Sequence, residues 1–302
     1  MKQYQDLLAR VLLHGSKQDN RTGIPAVSKA GDMMTFDLTE GFPIITVRKS
    51  AWKGAVGEMI AFINGYTTAD KFRDLKCKFW DDNANTDGED IAGNVVKNVW
   101  LTNTYRKGED DLGEVYGHQW RKWLVHEGDG IKVEIDQFLQ AINQIMTNPT
   151  SRRIIVNAWR PDRFERMALP PCHVMFQFLV NVEKKELNLN MFIRSNDLFL
   201  GAPANIVEYA FLLEVVAMAT GYVAKTFNYF IGDAHIYENH LEQVNTMLAR
   251  EPYPLPKLQY LAELPDIKTA EAALAWLEGL HPDDFILDNY QHHEALTGKM
   301  AI

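Results

Sequence analysis

Three runs in the middle of the chain constrain its fold most: Arg153 to Trp159, His173 to Val182 and Leu187 to Ile193 all read as strands. In the third, Leu187, Leu189, Met191 and Ile193 alternate with Asn188, Asn190 and Phe192, the period of two that gives a strand one buried and one outward face. A sheet with one apolar face needs helices to cover it, and helical spacing is present on both sides of this region. Tyr4, Leu7, Leu8, Val11 and Leu12 share a face within 1–15, as do Trp52, Val56, Met59, Ile60 and Ile63 within 50–64. A long helix is expected over 204–219, then a strand at 226–232 and a helix from Tyr237 to Ala249. Pro252, Pro254 and Pro256 end that helix and lead to a final strand at Lys257 to Tyr260, with one more short helix within 266–280. Residues 84–112 are polar and rich in Gly and Asp and read mostly as loop, a polar segment at about 84–111. With no repeat or low-complexity linker, the expectation is a single α+β domain over 1–302, a mixed sheet flanked by helices.

Composition narrows the function. The chain has 302 residues, 46% hydrophobic and 24% charged, enough for one substantial core. No run approaches the roughly 18 apolar residues of a membrane span, and the N-terminus starts an amphipathic segment, so a cytoplasmic address without membrane attachment is expected. Cys77 and Cys172 alone cannot build a disulfide framework or a four-thiolate zinc site. A net charge of −9 argues against generic nucleic-acid binding, so any anionic ligand must be met by a local cationic cluster.

Ala168-Leu169-Pro170-Pro171-Cys172-His173 holds a thiol between two prolines and an apolar strand, anchored on one side and open on the other. Such a cysteine is either core packing or a nucleophile whose thiolate needs neighbouring positive charge or hydrogen-bond donors. Arg21, the pair Arg152-Arg153 and Arg194 each stand at a turn or strand end, where guanidinium groups could hold a phosphate. Glu58 lies beside the apolar stripe of its helix and by itself reads first as a solvated carboxylate. In Gly232-Asp233-Ala234-His235-Ile236-Tyr237-Glu238-Asn239-His240 the histidines are five apart, which does not suit a zinc-binding helix, and no metal is expected. His235 and Tyr237 share one face of a strand and could both reach a sugar hydroxyl, or could be a satisfied buried pair. From Arg194 to Asn205 the chain crosses from strand to helix, and Asn205 is open to two readings, a helix cap or an amide that reads a nucleobase edge.

Taken in order, Arg21-Thr22-Gly23, Glu58, Trp80-Asp81, Leu112-Gly113-x-Val115-Tyr116-Gly117-x-Gln119-Trp120-Arg121, Ser151-Arg152-Arg153, Pro171-Cys172-His173, Arg194-Ser195, Asn205 and Gly232-Asp233-x-His235-x-Tyr237 resemble the folate-dependent, cysteine-nucleophile thymidylate synthases. The resemblance runs from residue 1 to Ile302. It implies reductive methylation of dUMP to dTMP, with 5,10-methylenetetrahydrofolate as co-substrate and dihydrofolate as product. Catalytic roles then fall on Cys172, which adds to uracil C6, and on Glu58, Tyr116, Asn205, Arg194 and Asp197. The dUMP contacts implied are Arg21, Arg152, Arg153, Arg194, Ser195, Asp197, Asn205, His235 and Tyr237. Arg48, Trp80, Asn83, Asp197, Leu200, Gly201 and the terminal Ile302 would hold the folate. The resemblance also implies a sheet-to-sheet homodimer in which Arg152 and Arg153 cross to the partner's site.

The sequence departs from the family pattern at Ile193, where many members have Gln, at Glu114 for Pro, at Ala204 for Phe and at Asn196 for Cys or Gly. Loss of a phenyl ring at Ala204 leaves room for water beside the cavity, so the second reading is a dUMP hydroxymethylase in which water replaces hydride in the last step. A third reading, from another class, is a catalytically silent nucleotide-binding or RNA-binding protein on the same fold.

Overall fold

The structure, a computed structural model, describes residues 1–20, 22–89, 93–126, 130 and 132–299. The first half of the chain is α1 (Lys2–His14), β1 (Ser16–Gln18), β2 (Ala26–Asp37), α2 (Trp52–Ile63), α3 (Ala69–Asp74), α4 (Asp81–Asn85), β3 (Gly88–Glu89), β4 (Val95–Val96), α5 (Gly117–Arg121), β5 (Trp123–His126), β6 (Lys132–Ile135) and α6 (Gln137–Thr147). The second half is β7 (Ile155–Asn157), β8 (His173–Asn181), β9 (Glu186–Asp197), α7 (Gly201–Thr220), β10 (Val223–Tyr237), α8 (Leu241–Ala249), β11 (Lys257–Tyr260), α9 (Ala270–Glu278) and β12 (Phe285–Asp288). Six strands form one mixed sheet in the order β1-β2-β10-β9-β8-β7. Its pairs are antiparallel except β9 and β10, which run parallel because α7 makes the crossover between them. The fold class is therefore α+β with a mixed sheet and helices, as expected.

One face of this sheet is the core. Met34, Phe36, Phe176, Phe178, Leu187, Leu189, Met191, Phe227 and Tyr229 are all buried there, beneath α7, on which α2 packs in turn. Side chains of this kind contribute about 1.5–3 kcal/mol each on burial, which is why the alternation in 187–193 is so strict. By length and composition α7 could cross a membrane, but it is mostly buried and serves as the core helix on the sheet. Pro203 suits its first turn, and Gly221 takes the left-handed conformation that ends it. Gly117 brings α5 against α2, since any Cβ there would collide with the Phe62 carbonyl.

Several expected boundaries move. The strand expected at 226–232 runs on to Tyr237, because β2 pairs with it as far as Tyr237 opposite Ala26. The helix expected from Tyr237 accordingly begins at Leu241, after a single 3-10 turn. The 153–159 strand shrinks to β7, an edge strand paired only with β8. The strand at 257–260 is not the last, since it forms a hairpin with β12. β2 and α6 form where the sequence reading predicts no element. The described part of 84–112 is more ordered than a loop: it holds the end of α4, the β3/β4 pair and Trp100, which is buried and donates to the Asp111 carbonyl at 2.6 Å.

Candidate active site

Parallel pairing of β9 with β10 and antiparallel pairing of β8 with β9 bring their chemically rich ends to one end of the sheet. His173 faces Ile193, Ser195 faces Asp233, and Asp197 faces His235. Cys172 stands immediately before β8, half-buried, while Cys77 is buried. The Cys172 N–H donates to the Tyr116 hydroxyl at 2.8 Å, and its carbonyl accepts from the Arg194 N–H at 2.9 Å. Arg194 Nε and Nη2 donate to the carbonyls of Pro171 and Pro170 at 3.0 and 3.1 Å. Arg194 therefore lies inside β9 and turns back onto the cysteine loop, not outward from a strand end as the sequence suggested. Its fixed positive charge beside the loop is of the kind that favours a thiolate.

Tyr116 carries backbone strain, with φ 28° and ψ −91°, a region costly for a residue with a Cβ. Its ring stacks on Phe62 with centroids 4.8 Å apart, and burial followed by the nearby Cys172 charge pushes its hydroxyl well above the usual range. Strained backbone, stacking and the bond to Cys172 together hold the phenol in one place.

Behind the cysteine lies a buried polar pocket. Trp80 Nε1 donates to Glu58 Oε1 at 2.6 Å, so the carboxyl on the apolar stripe of α2 is partnered, not solvated. Burial raises its pKa, against the hydrogen bonds from Glu208 and Trp80. Asn205 is in the second turn of α7, which excludes the capping reading. Its amide is held on both sides: Nδ2 is 2.9 Å from His173 Nε2, and Oδ1 accepts from Asn196 Nδ2 at 3.0 Å and Tyr229 Oη at 3.3 Å. Burial drives the His173 pKa down to about 3, so the imidazole is neutral.

On the next strands, Asp233 gathers Ser195, Ser28 and His235. Its carboxylate accepts from Ser195 Oγ at 3.2 Å, from the Ser28 hydroxyl, and pairs with His235 Nδ1 at 3.1 Å. Burial alone would raise its pKa, but these partners outweigh that and hold it below the usual range. The His235 and Tyr237 rings lie 5.0 Å apart on one face of β10. Asp197 Oδ1 accepts the N–H groups of Phe199 and Leu200 at 2.8 and 3.2 Å and so fixes the turn into Gly201. Arg48 sits over the Phe199 ring and donates to the Phe199 carbonyl at 2.6 Å. Asn83 accepts at its carbonyl from Asn98. The C-terminal segment packs here too: the Lys299 carbonyl is 2.9 Å from His240 Nε2, and a Cβ at Gly298 would meet Phe199 and His240.

The structure thus brings together Cys172, Tyr116, Glu58, Trp80, Asn205, Arg194, Ser195, Asp197 and His235. Arg152 and Arg153 are exposed just before the edge strand β7. Arg21 and Ile302 lie outside the described residues. Sequence reasoning missed Glu208 and Tyr229, which complete the buried pocket, and Ser28, which faces His235 across two antiparallel strands. The available signal for Glu208 was its place three residues after Asn205, on the same side of an otherwise apolar helix. Among the described residues no three His, Cys, Asp or Glu side chains are grouped to hold a metal ion.

A half-buried thiol beside a fixed guanidinium, with a buried carboxyl and a clamped amide behind it, is equipped for covalent addition to a flat heterocycle followed by proton removal. A family model described as thymidylate synthase matches residues 2–302. The chain belongs to the thymidylate synthase family. The thymidylate synthase of Pseudomonas syringae pv. tomato is 44% identical, and that of Bordetella parapertussis 42% identical, each over 100% of both chains. Membership carries with it an enzymatic methyltransferase reaction in which methylenetetrahydrofolate is the co-substrate. These thymidylate synthase relatives lend no support to the hydroxymethylase reading of Ala204.

Proposed function

We propose that residues 1–302 act as one catalytic unit that reductively methylates dUMP to dTMP, with Cys172 as the nucleophile. The observation that carries this reading is the setting of Cys172, half-buried, with its backbone held by Tyr116 and the Arg194 guanidinium folded over its loop. Addition of the thiolate to uracil C6 turns C5 into an enolate-like nucleophile. The folate supplies both the one-carbon unit and the hydride. Trp80, Leu200 and Gly201 offer an aromatic and apolar wall beside Glu58 and Asn205, a surface suited to a flat pterin ring. Glu58 then removes the C5 proton through water: the C5–H bond breaks, its electrons expel the folate amine to leave an exocyclic methylene, and the proton goes to the carboxylate; hydride addition to that methylene then expels the Cys172 thiolate from C6 and leaves dTMP. Arg194, Ser195, Arg21 and, from the partner, Arg152 and Arg153 bind the phosphate, while His235 and Tyr237 hold the sugar. Asn205 reads the uracil edge. Arg48, Asn83, Asp197 and Ile302 complete the folate site.

The outward face of the sheet supports a homodimer. Exposed Met33, Phe192 and Phe230 flank a polar ladder in which Thr35 donates to Asn228, Asn228 to Asn190, and Asn190 to Gln177, at 2.9, 2.9 and 3.2 Å. An apolar face of this kind fits burial against a second copy. Two cysteines not joined in a disulfide fit a cytoplasmic location.

Incubation of the protein with dUMP and methylenetetrahydrofolate tests the reading. Equal amounts of dTMP and dihydrofolate are expected, and Cys172→Ser should bind dUMP without turnover. Hydroxymethyl-dUMP without dihydrofolate, or an active Cys172→Ser protein, would overturn it.

A further inference from the structure

Glu208 is a buried acid that the proposed chemistry leaves without a role. It projects from α7 toward α2, fully inaccessible, with Oε1 lacking any hydrogen-bond donor among the described residues. Its Oε2 is 3.5 Å from Asn205 Nδ2 and 4.0 Å from His173 Nδ1. The remaining partner is the carboxyl of Glu58, to which it is hydrogen-bonded. Two carboxylates cannot hydrogen-bond to one another unless a proton lies between them.

We infer that Glu58 and Glu208 share a single proton in the resting enzyme, and that Glu208 is a positioning residue that keeps Glu58 aimed and ionised as the base. The inference rests on the reading of Glu58 as the group that receives the C5 proton.

Among the described residues, the surroundings offer no other way to neutralise the pair. From β8, His173 is neutral, its pKa lowered by burial to about 3. Cys77 next to α3, Tyr116 beside α5, Tyr209 on α7 and Tyr229 on β10 all face the pair, and burial raises each of them, so all stay uncharged at neutral pH. With no cation facing it among the described residues, a doubly charged pair would be two unpaired charges in a low-dielectric core. Glu208 takes the proton because its Oε1 meets no donor among the described residues, whereas Glu58 already accepts from Trp80 Nε1; burial and the Glu58 charge both act in the same direction on Glu208. Trp80 Nε1–H, by contrast, stabilises charge on Glu58. Glu208 thus donates to the Glu58 carboxylate, as Trp80 does from the other side.

The test is release of tritium from [5-³H]dUMP in the presence of methylenetetrahydrofolate, measured against pH for wild type, Glu208→Leu and Glu208→Gln. Losing the donor removes an interaction that favours ionised Glu58. The acidic limb of kcat/KM should therefore move up by about one to two pH units in Glu208→Leu. Glu208→Gln, whose amide N–H can still donate, should return the limb toward its wild-type position. A Leu variant with the wild-type limb, or Leu and Gln variants displaced alike, would overturn the inference. Infrared spectra of the resting protein at neutral pH provide a readout independent of turnover: a protonated-carboxyl band is expected, and Glu208→Gln should remove it. If no band disappears, no proton is held there. Glu58→Gln that still releases tritium at the wild-type rate would instead remove the base reading, and this inference with it.

Discussion

Tyr116 accepts the backbone N–H of Cys172 through its hydroxyl at 2.8 Å, although the two residues belong to different segments and Tyr116 holds a strained left-handed backbone to do so. The relationship ties the position of the thiol to a single phenol. Replacing that phenol by a phenyl ring leaves the packing and takes away the acceptor.

Tyr116→Phe should lower kcat by about 10- to 100-fold, since a lost buried hydrogen bond costs about 1–3 kcal/mol and the misplaced group is the reacting one. Steady-state kinetics with dUMP, together with the rate of Cys172 alkylation by iodoacetamide, checks this. Unchanged kcat and unchanged alkylation would show that the bond does not position the thiol.

Asn205→Asp should shift preference from dUMP toward dCMP. The clamped amide would become an acceptor-only carboxylate or its acid, which matches the cytosine edge better than the uracil edge. The measurement is the ratio of kcat/KM for the two nucleotides, and an unaltered ratio would reject the role given to Asn205.

Exposed Arg152 and Arg153 stand before an edge strand, and the proposed donation across a dimer interface makes their contribution to catalysis depend on a second subunit. Mixing inactive Cys172→Ser protein with inactive Arg153→Ala protein, followed by subunit exchange, should restore about a quarter of the wild-type activity, because half the dimers then carry one intact site. No recovery, with exchange demonstrated by mass, would place those arginines in their own subunit's site or in none.

Glu214 on α7 offers a pH signature separate from catalysis. Burial raises its pKa from 4.5 to about 7. A carboxyl that is harder to ionise in the folded state stabilises the fold below pH 4.5, and that contribution disappears as pH rises through about 7. By pH 8 the loss is about 3 kcal/mol. Glu214→Gln should therefore be more stable than wild type at pH 8 and similar to it at pH 4 in urea denaturation. Parallel stability curves across that range would contradict the assignment.

Much of this was legible in the residues themselves. The alternation from Leu187 to Ile193 identifies a strand with one buried face because side-chain direction follows from a period of two, and the first two helices follow from a period of 3.6. His235 and Tyr237, two apart, share a face for the same reason. Cys172 at the mouth of a strand, and the ordered set of motifs around it, pointed to the family before any packing was known. β2 gave no such signal: Ala26 to Asp37 mixes Ser, Lys, Gly and Asp with apolar residues, and its identity as a strand comes from pairing with β10.

What the sequence determined by itself is thus local and chemical: which strongly patterned segments are helix or strand, and which reactive groups the chain carries in what order. The tertiary structure decided which of those groups meet. Arg194 turning back onto the Pro171 and Pro170 carbonyls, Asp233 collecting Ser28 from a distant strand, and Glu208 joining Glu58 across two helices are all contacts between segments far apart in the chain. Spacing along a chain fixes the direction of a side chain only within its own helix or strand. Burial, which sets whether a carboxyl keeps its proton, exists only once those elements have packed.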